Sequence, residues 1–102
     1  MPTITFEDVL ARCVPNELDS PEEKIVRAYI SNNLSYQSGQ DFYTVSMTTT
    51  QRNEMLYKNR MRAFNGTFYN TSMTDMIMNI LGYKVLVKAA GDTVMYQIPK
   101  KQ

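Results

Sequence analysis

The side chains best suited to chemistry in this chain are cations and hydroxyls. Arg52, Lys58, Arg60, Arg62, Lys84 and Lys88 all follow residue 41, in a section where eight bases meet three acids. Residues 1–41 hold seven acids and three bases. The chain as a whole is almost neutral at +1, so its character lies in the split, −4 followed by +5. Cations gathered in one section neutralise phosphates and steer an anionic partner. Thr44, Ser46 and Thr48 alternate with Tyr43, Val45 and Met47, which sets hydroxyls along one side of an extended segment. The pattern points to nucleic acid, DNA before RNA, and away from catalysis.

Other chemistries find few residues. There is no histidine and one cysteine, Cys13. Histidine-based triads, Cys/His zinc sites and an intrachain disulfide all lack their parts. Cys13 reads as a small apolar residue in an amphipathic helix. The acids Asp8, Glu22, Glu23 and Asp75 stand where helix starts use carboxylates. We therefore expect no enzyme activity, no cofactor and no metal. No apolar run reaches the roughly 20 residues of a membrane span, and MPTITFEDVL lacks the basic start of a secretory signal. The expected setting is intracellular, in the cytoplasm, without a membrane partner.

The elements that must position these residues can be read in order. At 102 residues the chain suits one domain, and 43% apolar with 21% charged residues suits a packed core. Residues 5–13 read as a short helix capped by Thr5, with Phe6, Val9, Leu10 and Cys13 on one stripe. Ser20-Pro21-Glu22-Glu23 opens a second helix over 20–36, through Val26, Tyr29, Ile30 and Leu34. Residues 42–48 read as a half-buried strand. A helix is expected over 50–64, with Tyr57, Met61 and Phe64 inward, its arginines and lysine around the remainder, and Asn65-Gly66 as its stop. Residues 72–81 read as a helix capped by Ser72, with Asp75 completing a capping box and Gly82 ending it. Residues 83–98 read as a β-hairpin turning at Ala90-Gly91-Asp92, with Lys84, Leu86 and Lys88 on one face. The fold class is thus α+β, a small single domain over 1–102, with about four helices, one short strand and a C-terminal hairpin.

Two resemblances attach to these elements. Tyr43-Thr44-Val45-Ser46-Met47-Thr48 and Thr71-Ser72-Met73-Thr74-Asp75-Met76-Ile77 resemble the strand and second-helix start of ribbon-helix-helix DNA-binding proteins, over residues 42–82. That resemblance implies a homodimer, with the strand paired to its copy. It places Thr44, Ser46 and Thr48 in the major groove and the amides near Ser72 on a phosphate. Residues 21–99 resemble a winged helix-turn-helix in the order helix, strand, helix, helix, hairpin. Here the recognition helix is 72–81, and Lys84 and Lys88 lie on the wing.

A second function competes with DNA-binding transcription regulation. Eight methionines and seven tyrosines suit an adaptable contact surface. The alternative is a protein-interaction module, such as a phage or viral inhibitor or assembly factor. On that reading the hydroxyl row is only the polar face of an ordinary strand, and the methionines of 73–78 are core or partner surface.

Overall fold

The computed structural model describes residues 3–57 and 66–102; the side chains of Tyr57 and of residues 66–72 lie outside that description. The element order is α1 (Phe6–Ala11), α2 (Pro21–Asn33), β1 (Phe42–Thr48), α3 (Thr49–Tyr57), α4 (Gly66–Leu81), β2 (Leu86–Ala90) and β3 (Thr93–Pro99). This is the expected α+β class.

The helix starts follow from local side chains. Thr5 and Asp8 cap α1 reciprocally, the Asp8 amide donating to Thr5 Oγ1 at 3.0 Å and the Thr5 amide to Asp8 Oδ2 at 2.8 Å. Ser20 and Glu23 do the same for α2, with Pro21 in the first turn where its missing N–H costs nothing. A third box opens α3. The Gln51 amide donates to Thr48 Oγ1 at 3.0 Å, and the Thr48 amide to Gln51 Oε1 at 2.9 Å. β1 therefore runs into α3 with no intervening loop.

One helix boundary differs from expectation. The helix expected from 72 begins at Gly66, so Ser72 lies inside α4 rather than at its cap. Gly66 is the first residue of α4, and the expected close of the preceding helix, over 58–65, lies outside the described residues. Thr71, Ser72 and Asp75 carry a start signal, but a chain already helical from 66 has no orphan amide there to satisfy. The expected stop at Gly82 holds. Its φ is +71°, and the Arg12 guanidinium donates from Nη1 to the Leu81 carbonyl at 2.9 Å, closing the end of α4.

The three strands form one antiparallel sheet in the order β1-β3-β2. Tyr43, Val45 and Met47 stand opposite Ile98, Tyr96 and Val94, and all six are buried. Helical residues Val26, Ile30, Leu56, Met73, Ile77 and Leu81 join them in a single core. The helices thus cover one face of the sheet and leave the other open. The five residues of β2, at the far edge of the sheet, are all exposed. The turn between β2 and β3 is fastened to α3, where the Thr49 amide donates to the Asp92 carbonyl at 2.8 Å.

Candidate nucleic-acid interface

The sheet register assembles part of the expected set and separates the rest. Ser46 stands opposite Met95, and Met95 opposite Lys88. Residues directly opposite one another share a face, so Thr44, Ser46, Thr48 and Lys88 all lie on the open side. Ser46 and Lys88 are two strand spacings apart, about 10 Å. Ser46, Thr48 and Lys88 are exposed, and Thr44 is half-buried. The three strands contain no acidic residue, which leaves Lys88 as their one charge.

Their hydroxyls are not equally available. Thr48 Oγ1 is engaged as the cap of α3. Thr44 exchanges two backbone bonds of 2.9 Å with Ser35, which covers this part of the β1 edge. The Ser46 carbonyl accepts from the Tyr29 hydroxyl at 2.6 Å. The Ser46 side chain is exposed on the open face.

Arg52 departs from its expected surface position. It is 8% exposed, and with Met55 and Leu56 it forms the buried stripe of α3 at i, i+3 and i+4. Its stem packs inward while its guanidinium hydrogen-bonds the Tyr96 hydroxyl and donates from Nε to Asn53 Oδ1 at 3.1 Å. Arg52 therefore sits beneath the sheet, on the side opposite Ser46. Burial pushes the Tyr96 hydroxyl up to about 12, against the opposing pull of the Arg52 charge.

Lys84 is exposed in the connection between α4 and β2. Its backbone is held by Gln102, whose Oε1 accepts from the Lys84 amide and whose Nε2 donates to the Lys84 and Pro99 carbonyls. Lys58, Arg60 and Arg62 lie outside the described residues. Ser72 presents no helix start to a phosphate, because α4 begins six residues earlier.

The remaining cations outside the expected set are partly committed. Arg27 pairs with Asp19 at 2.6 Å, and Arg12 lies 4.7 Å from the centre of the Tyr83 ring. Lys100 donates to the Tyr36 hydroxyl at 2.5 Å and sits over its ring. Residues 36 and 100 are brought together by the β1–β3 pairing, and no local spacing announces them. The capping role of Thr48, by contrast, is written in Thr48-x-x-Gln51.

Among the described residues no group of three Asp, Glu, Cys or His side chains could hold a metal, and no helix is long and apolar enough to cross a membrane. Cys13 is buried, its thiol is pushed up by that burial, and it donates weakly to the Val9 carbonyl. Compared with known proteins, the chain matches no family model, no curated protein and no solved structure.

Proposed function

We propose that the chain is a small, non-enzymatic DNA-binding regulator of the winged helix-turn-helix arrangement. The observation that carries this reading is the order α2, β1, α3, α4, then a hairpin whose far strand returns to pair with β1. That closure sets the β2–β3 hairpin beside the end of α4, joined to it by only residues 82–85. In this arrangement α4 approaches the groove, and Lys84 and Lys88 on the hairpin meet phosphates. The basic run Lys58, Arg60 and Arg62 precedes α4 in sequence and adds to the same field. The ribbon-helix-helix alternative requires β1 to pair with its copy. β1 already uses one edge for β3 and part of the other for Ser35, which favours the winged reading.

The test is binding to random duplex DNA at about 50 and about 200 mM salt, read by fluorescence anisotropy. Lys84→Ala with Lys88→Ala should lower the slope of log affinity against log salt by about two. Absence of DNA binding at both salts, or a slope untouched by the double substitution, would remove the proposal.

A protein-interaction role is favoured by one separate observation. Leu86 and Val87 are 49% and 52% exposed on the two faces of an edge strand.

A further inference from the structure

We propose that the free edge of β2 receives an extended, acidic segment of another protein as a fourth strand. This inference does not rest on DNA binding.

The sheet has two edges, and they differ. The β1 edge is partly closed by the reciprocal bonds between Ser35 and Thr44, and Tyr29 reaches over to the Ser46 carbonyl. β2 is the other edge, and every one of its residues is exposed. An edge strand presents backbone donors and acceptors that only another extended chain matches along its length. Val87 and Ala89 stand opposite Tyr96 and Val94, so they belong to the core-facing side although both are exposed. Beneath them opens a cavity of about 440 Å³, walled by Thr49, Arg52, Val94 and Tyr96. Alternate residues of an added strand would lie above this space, where apolar side chains extend the core. The other residues would lie beside Leu86 and Lys88 on the open face.

Charge selects the occupant. Lys88 is positive on one face, and the Arg52 guanidinium contributes positive potential from the other. The three strands supply no acid to balance Lys88, and the nearest in the hairpin is Asp92 in the turn. A second copy fits poorly. An antiparallel pair using all five residues of β2 sets Lys88 directly against Lys88, a like-charge pair that destabilises a sheet. The same lysine that discourages self-association selects an acidic stranger. The complementary segment therefore alternates apolar and acidic side chains.

The experiment uses the full chain, isotope-labelled for amide hydrogen exchange by NMR. The probes are synthetic octapeptides alternating Val with Glu, and Val with Lys. The Val/Glu peptide should slow exchange within residues 86–90 and bind more tightly than Val/Lys. Lys88→Glu should weaken the Val/Glu peptide about tenfold. Lys24→Glu, the same charge change on an exposed position of α2, should leave it unchanged. Three results would overturn the proposal: equal binding of both peptides, protection confined to other elements, or slowed exchange at 86–90 on raising protein concentration alone. Protection of 86–90 by duplex DNA but by neither peptide would also overturn it, assigning this edge to nucleic acid while sparing the DNA reading. Peptide binding without any DNA binding would do the reverse.

Discussion

Arg52 illustrates how position in the fold decides what a charge does. As one of eight cations in the basic section it resembles a phosphate contact. In the structure it joins Met55 and Leu56 on the inner stripe of α3 and holds the Tyr96 hydroxyl. Replacing it should therefore act on stability. Arg52→Ala leaves a buried hydroxyl with one fewer partner, and unfolding in urea should register a loss of about 1–3 kcal/mol. The salt slope for DNA should be unaltered in that variant, in contrast to the lysine pair. If Arg52→Ala lowered the slope as the lysines do, its guanidinium would be reaching phosphate after all. The sequence could not distinguish these roles, because Arg52 is inward only relative to Leu56 and Met55. The spacing of Tyr57, Met61 and Phe64 points to a different inner face, and their side chains lie outside the described residues.

Among the elements, the junction of β1 and α3 is the most instructive. The limits of β1, 42–48, follow from strict alternation, and the structure reproduces them because one face is buried and the other is not. The starts of α1 and α2, each announced by a capping pair in the sequence, are equally legible from their first turns. α4 is not, because a start signal at Ser72 carries no weight inside a helix that Gly66 has already opened. Thr48 lies where the two kinds of signal overlap. Its place in the alternation suggests a groove contact, while its spacing from Gln51 makes it a cap. Thr48→Ala should cost about 1 kcal/mol through the lost cap, whereas Ser46→Ala, exposed in the same row, should stay within about 0.5 kcal/mol. Thermal melting of the two variants side by side checks this. A loss in DNA affinity is therefore interpretable at Ser46 and confounded at Thr48. Lys88 shares their face only through β3, a relation invisible to any local pattern.

For the whole molecule, burial of hydroxyls sets its response to alkali. Tyr96, Tyr43 and Tyr29 lie on β3, β1 and α2, and burial raises each above the ordinary tyrosine value. A raised folded value means the unfolded chain releases its proton first. The stability contributed by Tyr96 is thus complete below about pH 10 and declines between about 10 and 12. Over that interval the loss should be on the order of 2–3 kcal/mol for Tyr96 alone. Urea midpoints measured from pH 8 upward should stay level and then fall, and Tyr96→Phe should flatten the fall. An unchanged alkaline limb in Tyr96→Phe would contradict that account. The α+β class itself was legible from alternation and capping. The sheet order was not, since it depends on β3 choosing β1 across more than forty residues.

The ends of the described chain meet. The Ile4 amide donates to the Lys100 carbonyl, Thr3 bridges to Lys101, and the Ile4 carbonyl accepts from the Tyr43 hydroxyl. During synthesis these partners emerge at opposite times. The ribosome exposes residue 4 long before residue 100, and at about 5–20 residues per second the interval lasts several seconds. Through that interval Ile4, Val9 and the underside of β1 have no β3 to meet. The nascent chain must carry an unfinished sheet until β3 emerges, so the sheet closes only after both the helices and β1 have left the ribosome.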